Sequence, residues 1–312
     1  MTIQQLKYIV KVAETGNLTE ASKQLFVSQP SLTNSIRKLE DELHITIFSR
    51  TNKGVLISGE GERFLSYARQ ILEQVHLVEE KYLNAEAQSP KFSVSCQHYA
   101  FAVNAFVDLI RQYDAPEYDF TIRETQTYEV IRDVSEMKSE IGILYINAMN
   151  EEAILKLLRQ HGLKFETLFI AKPHVFISSK HPLAWKESLT INDLEDYPCL
   201  TFDQGDYNSF YFSEEILSTM YHRKNIRVHD RATLFNLAAG LNGYTITSGV
   251  LGADLNGEHI ITKPLEADDY MQIGTITRKD IILSRYGVSY MAALRKYIQQ
   301  YHQKQPLDMA SD

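Results

Sequence analysis

Between residues 29 and 38 the chain sets amide, hydroxyl and cationic groups at Gln29, Ser31, Thr33, Asn34, Arg37 and Lys38. Amide and guanidinium groups form paired hydrogen bonds with base edges in a DNA major groove, while hydroxyls and amines hold phosphates. Such groups need a rigid mount, and the apolar residues supply it. Leu32, Ile36, Leu39 and Leu43 recur at spacings of four, three and four, which predicts a helix with its polar groups outward. Ser28 stands ready to cap that helix, and Pro30 fits its first turn, where the amide hydrogen it lacks has no intrahelical partner. Upstream, Ala21 and Leu25 share one face of a shorter helix and Val27 fills the turn. The expected unit is a two-helix hairpin with a face suited to a major groove.

A formal net charge of −8 at first opposes a nucleic-acid partner. Its distribution removes the objection: residues 1–90 hold 10 Lys and Arg against 11 Asp and Glu, and residues 91–312 hold 22 against 29. DNA binding requires local positive charge, and Lys23, Arg37, Lys38, Arg50 and Lys53 cluster around the hairpin. A chain of 312 residues, 44% hydrophobic and 23% charged, has ordinary globular composition with room for several domains. No apolar run approaches the roughly 18 residues that span a bilayer, and the first residues lack a signal-peptide pattern, so the expected compartment is the cytoplasm. Cys96 and Cys199 are far apart, without zinc-ligand or CxxC spacing, and read as buried thiols. His98 beside Cys96 supplies no third ligand, so no metal is expected.

The elements around the hairpin follow in order. Leu6, Ile9, Val10 and Ala13 predict a first helix over 2–14, and Thr19 is the expected cap of the next one. Residues 44–58 hold two β-prone runs around a polar turn, a two-stranded wing with Arg50, Thr51, Asn52 and Lys53 at its tip, where backbone phosphates or the minor groove would lie. From Gly59 a long helix carries Phe64, Ala68, Ile71, Val75, Val78 and Tyr82 at heptad spacing. So narrow a stripe predicts pairing with a second copy of the chain, which would set two recognition helices on two half-sites. A linker over 85–91 precedes alternating strands and helices, an α/β domain with a largely parallel sheet. Strands are expected at 92–95, 120–124, 141–145, 199–202, 226–228, 244–247, 260–264 and 270–277, and an extended run from Lys164 breaks at Pro173. Helices are expected at 99–113, 128–138, 152–161, from Phe212, at 231–239 and at 289–301. A second α/β unit sits inside the first, with crossings near 164 and near 266.

These residues resemble the LysR-type transcriptional regulators of bacteria. The likeness runs through Gln5–Tyr8, Leu18–Ser22, Leu25, Ser28–Leu32, Ile36, Leu39–Glu40, Leu43, Ile47–Phe48, Arg50 and Gly61. The resemblance implies an α/β chain with an N-terminal winged helix-turn-helix (1–58) and a long dimerisation helix with linker (59–90). It also implies a two-lobed periplasmic-binding-protein-like effector domain, lobe I over 91–164 and 267–312 and lobe II over 165–266. Homodimers or homotetramers, double-stranded promoter DNA, a small-molecule effector and RNA polymerase are the implied partners, with no cofactor. Gln29, Pro30, Ser31, Thr33, Asn34 and Arg37 fall where the family's recognition helix meets DNA, and Arg50 at its wing. In a two-lobed α/β domain the ligand lies outside the carboxyl ends of strands. The expected pocket residues are therefore Ser95, Gln97, His98, Thr125, Thr127, Tyr145, Thr201, Asp203, Gln204, Thr247 and Ser248, a set suited to a small polar or anionic metabolite.

Two rivals stand beside a ligand-responsive regulator: an architectural DNA-binding dimer that ignores small molecules, and an α/β enzyme. No GxSxG, GxxxxGK[ST], GxGxxG or HExxH pattern supports the enzyme. Arg37→Ala is expected to weaken operator binding by about 1–3 kcal/mol in a gel-shift titration; unchanged affinity would remove Arg37 from the interface.

Overall fold

The computed structural model describes residues 1–51, 54–83, 90–113, 117–207, 209–250, 259–279 and 281–304. The chain divides near Gln88 into two compact units.

In the first unit, α1 (Ile3–Thr15) opens on a capping box between Thr2 and Gln5 and closes at Gly16, whose φ of 62° is left-handed. α2 (Leu18–Gln24) is capped by Asn17, whose side chain accepts from the Thr19 and Glu20 amides. This corrects the expectation for Thr19, which lies one residue inside the helix. α3 (Gln29–Leu43) starts with Ser28 accepting from the Ser31 amide at 3.3 Å. Ile9, Leu39, Ile47 and Leu65 form one part of the core, and Val12, Ala21, Leu32 and Ile36 another. β1 (Phe48–Thr51) and β2 (Gly54–Ile57) pair antiparallel as the wing.

Two junctions hold the wing to the helices. The Glu40 carboxylate accepts the Ile47 and Phe48 amides at 2.6 and 3.0 Å, tying α3 to the start of β1. The Val55 amide donates to the Gly16 carbonyl at 3.0 Å. A Cβ on Gly54 would meet that same oxygen at 2.6 Å, so only glycine fits there. α4 (Gly59–Leu83) then turns back, with Leu65 and Ala68 fully buried.

The second unit runs β3 (Lys91–Cys96), α5 (Ala100–Gln112), β4 (Asp119–Glu124), α6 (Thr127–Ser135), β5 (Ile141–Ile146), α7 (Glu151–Gln160) and β6 (Leu163–Ala171). There follow β7 (His174–Ser178), α8 (Ile191–Leu194), β8 (Cys199–Phe202), β9 (Asn225–Val228), α9 (Arg231–Leu241), β10 (Thr245–Thr247), β11 (Ile260–Pro264), β12 (Met271–Arg278) and α10 (Arg285–Lys304). One sheet has the order β4-β3-β5-β12-β6, its strands sharing a direction except β12, which runs antiparallel to both neighbours. The other sheet is antiparallel, β10-β7-β11, and beside it β8 and β9 pair in parallel. A bridge from Cys199 to Tyr244 links β8 to the residue before β10.

Two expectations change. β6 belongs to the five-stranded sheet, so the chain leaves that sheet after Ala171, at Lys172–Pro173, rather than near 164. The helix expected from Phe212 is absent: a single 3-10 turn covers Phe210–Phe212, and irregular turns follow to Met220, with Leu217 at a φ of 60°. A left-handed leucine cannot continue a helix, and the side chains of Glu214 and Glu215 are turned inward to accept backbone amides.

A Cβ on Gly61 would lie 2.3 Å from the Ile47 carbonyl oxygen. Gly61→Ala must push α4 off the wing, and a chemical-denaturation midpoint is expected to report a loss of about 1–3 kcal/mol.

Candidate functional site

Gln29, Pro30, Ser31, Asn34, Arg37 and Lys38 are exposed on α3, and Thr33 is half-buried beside them. The buried stripe of Leu32, Ile36 and Leu39 fixes that orientation. Gln29 Oε1 accepts the Thr19 hydroxyl at 3.2 Å, and the Ser31 hydroxyl pairs with that of Ser28 at 2.7 Å. Ser31 is therefore engaged in the helix cap, while Arg37 and Thr33 border an open hollow of about 530 Å³ shared with Glu40, His44, Thr46 and Phe48. The side chains of Arg50 and Thr51, and residues 52–53, lie outside the described residues. Phe26, which sequence reasoning passed over, stands in the hairpin turn with a φ of 54° and 95% of its surface exposed.

On α4 the expected seam splits. Ala68 is fully buried and the half-buried Phe64 packs on the core of Ile9, Leu39, Ile47 and Leu65. Ile71 and Val75 are half-buried, Val78 is 57% exposed, and the Tyr82 side chain lies outside the described residues. Tyr67, absent from the expected seam, is 61% exposed four residues before Ile71. Among the described side chains, the outward apolar face of α4 is thus Tyr67 and Val78, with Ile71 and Val75 half-buried between them.

Of the expected pocket residues, the fold brings together Gln97, His98, Thr127, Tyr145 and Gln204. Gln97 Nε2 donates to the Thr127 hydroxyl at 2.6 Å, and its Oε1 accepts the Tyr145 amide and the Tyr99 hydroxyl, each at 3.0 Å. Thr127 donates its amide to Gln204 Oε1 at 3.0 Å and its hydroxyl to the Phe212 carbonyl at 2.7 Å. The Tyr145 hydroxyl donates to the Glu215 carbonyl at 3.2 Å. Two carboxylates from the irregular segment after Phe212 complete the cluster. Glu214 Oε2 accepts the His98 amide at 3.0 Å and approaches His98 Nδ1 at 2.9 Å, while its Oε1 accepts Gln204 Nε2 at 3.1 Å. Glu215 accepts the Phe202 amide at 2.8 Å and the Ser213 hydroxyl at 3.1 Å. The His98 ring stacks flat on Phe202 at 3.8 Å. Sequence reasoning missed both glutamates, since a Glu pair in a supposed helix reads as a solvated face.

The remaining expected residues make other contacts. Strand alternation sends Phe92, Val94 and Cys96 into the main core, so Ser95 faces α6. There its hydroxyl donates to Asp133 at 2.7 Å and pairs with Ser139 at 2.8 Å, a buried structural network. The Thr125 amide donates to the Cys96 carbonyl at 2.9 Å, the Thr201 hydroxyl donates to Asn225 across β8 and β9 at 3.2 Å, and Asp203 accepts the Gly205 amide of its own turn at 3.1 Å. Thr247 and Ser248 end β10, where Ser248 accepts the Val250 amide at 3.4 Å. Among the described residues no three His, Cys, Asp or Glu side chains are grouped to hold a metal ion.

The electrostatics follow from burial. Loss of water around Glu215, reinforced by the neighbouring Glu214 charge, pushes its carboxyl up to about 8. For His98, burial works to lower the value, but the Glu214 carboxylate outweighs it and the net shift is upward. Burial pushes the Cys199 thiol up to about 12 and raises Cys96 well above its ordinary value, leaving both in the unreactive thiol form.

Comparison with known proteins bears on both parts. Residues 3–62 match the family described as "Bacterial regulatory helix-turn-helix protein, lysR family", and residues 88–302 match the "LysR substrate binding domain". YvbU of Bacillus subtilis (strain 168), described as an uncharacterized HTH-type transcriptional regulator, is 26% identical over 285 residues, 88% of this chain and 90% of its own length. A hydrogen peroxide-inducible genes activator of Haemophilus influenzae is 26% identical over 207 residues, 66% of this chain and 65% of its own. The fold is shared with a full-length OxyR variant from Pseudomonas aeruginosa, at a TM-score of 0.66 and 22% identity, covering 95% of this chain and 98% of that one. It is shared also with full-length CbnR complexed with its target DNA, at a TM-score of 0.57 and 19% identity, covering 95% and 100%.

A carboxyl held near 8 against an ordinary value of 4.5 favours the folded state most below about 4.5 and loses that contribution as pH rises through 8. Melting curves from pH 5 to 8.5 are expected to show a falling Tm in the wild type and a flatter profile in Glu215→Gln, which keeps the acceptor for the Phe202 amide.

Proposed function

This chain belongs to the LysR family of bacterial helix-turn-helix regulatory proteins, and from that premise we propose how its two units divide the work. As a transcription regulator it joins a DNA-binding unit to a substrate-binding one. In our reading, α3 enters the major groove, with Arg37 on guanine or phosphate and Gln29 and Asn34 on base edges, while Lys38 and the wing hold the backbone. The observation that carries this is the exposed polar and cationic row on α3 above a fully buried stripe of Leu32 and Leu39. Ser31 contributes through the helix cap rather than as a free donor.

The outward apolar face of α4 supports a homodimer that places two such helices on two half-sites, and a homotetramer is compatible with the same face. The second unit is read as a receptor for a small polar or anionic effector, the cluster around Gln97, His98 and Gln204 being its recognition site. Binding rather than catalysis is favoured because the polar groups there are satisfied by one another, without a nucleophile and base aimed at open space. No described helix is long and apolar enough to cross a membrane; action on promoter DNA favours a cytoplasmic location. Peroxide inducibility belongs to some relatives by name; the two buried, unionised thiols here favour a different signal.

Footprinting of purified protein upstream of its own gene is expected to protect two half-sites and to weaken steeply with salt; no protection at low salt would overturn the assignment. Val78→Glu is expected to shift the chain toward monomers in light scattering and to lower operator affinity at least tenfold, with the fold intact by circular dichroism. A variant that still dimerises would exclude this face.

A further inference from the structure

We propose that the buried cluster between the ends of β3 and β8 in the second unit contains a carboxylate seat occupied by the chain's own Glu214, and that a small monocarboxylate effector acts by taking that seat. The proposal rests on the reading of this unit as the effector domain.

The seat is built from groups outside Glu214's own segment. The His98 amide at 3.0 Å, His98 Nδ1 at 2.9 Å and Gln204 Nε2 at 3.1 Å converge on one carboxylate. His98 and Glu214 side chains are only 4% and 5% exposed, and Gln204 is buried. Each donor is fixed independently of Glu214. His98 lies flat on Phe202, and Gln204 is held by the Thr127 amide at the start of α6. The seat therefore persists when Glu214 leaves it.

The occupant sits on an irregular segment. Residues 213–220 form neither helix nor strand, and Leu217 holds a left-handed backbone. Glu214 also sits beside a second buried carboxyl group, Glu215, and the low-dielectric site disfavours charging both at once. Replacing Glu214 by an external carboxylate keeps the three donors satisfied and frees the segment to move, which is the two-state element a sensor requires.

The chemistry selects the ligand class. Both carboxylate oxygens meet donors, and the donors carry at most one positive charge, on His98. Arg231, which reaches the same cluster, is already paired with Glu124 at 2.8 Å. A dianionic phosphate would be under-compensated here, whereas one carboxylate is matched.

Propionate reproduces the glutamate side chain beyond its Cα and serves as the probe. In the full-length chain, Glu214→Ala is expected to gain a saturable rise in Tm of a few degrees with sodium propionate over equal sodium chloride. The wild type should need at least tenfold more propionate, because its internal carboxylate competes. Propionate should also change operator affinity of Glu214→Ala in gel shifts. Should that variant not fold, Glu214→Gln, of equal size and uncharged, is expected to show the same propionate-specific rise. No such rise in either variant overturns the seat. A rise with no change in operator affinity overturns the effector role alone. A wild-type chain that binds no operator overturns the regulatory reading instead, while the Tm response still reports on the seat.

Discussion

Side-chain carboxylates accept the backbone N–H groups that helices and strands leave over at their junctions, and the fold depends on these contacts. Glu40 takes the Ile47 and Phe48 amides where the recognition helix meets the wing. Glu140 takes the Ser284 amide and hydroxyl at 2.6 and 2.8 Å, just before the closing helix. Glu214 and Glu215 take the His98 and Phe202 amides where the ends of β3 and β8 approach each other. A buried amide left unpaired costs about 1–3 kcal/mol, and a charged acceptor gives a shorter, stronger bond than a neutral one. Chain segments without regular hydrogen bonding can thereby be packed inside the molecule.

The same device has different consequences in the two units. In the first it is static: Glu40 holds α3 and β1 in one register, so the exposed row from Gln29 to Lys38 keeps a fixed relation to the wing. In the second it sits among titratable groups. Burial of Glu215 beside Glu214 raises its carboxyl to about 8, and the segment that carries them is irregular, held by the Tyr145 hydroxyl and the Phe202 amide. A ligand-responsive regulator needs an equilibrium in which two states bind the effector differently, since an effector can shift only such an equilibrium.

The hairpin, the buried stripe, the wing and the strand-helix rhythm were legible in the sequence because each rests on local periodicity or on a cap within four residues. Leu32, Ile36 and Leu39 could point only one way once a helix formed, and Ser28 with Pro30 marked where it begins. The α4 seam was legible as a stripe but not in its partners, since spacing cannot say that the core of its own unit takes Phe64 and leaves Tyr67 outside. Pocket residues chosen as strand ends were mixed for a similar reason: a strand end has two faces, and Ser95 lies on the one turned to α6.

Sequence alone thus determined the exposed polar row of α3, because its residues are neighbours on one helix and the 3.6-residue repeat places them together whatever the rest of the chain does. Only the tertiary structure decided what fills the buried cluster. Glu214 meets His98 across 116 residues, and no local pattern distinguishes a glutamate that turns inward to three donors from one that faces water. That choice is made by the convergence of the ends of β3 and β8 and by the cost of leaving their amides unpaired.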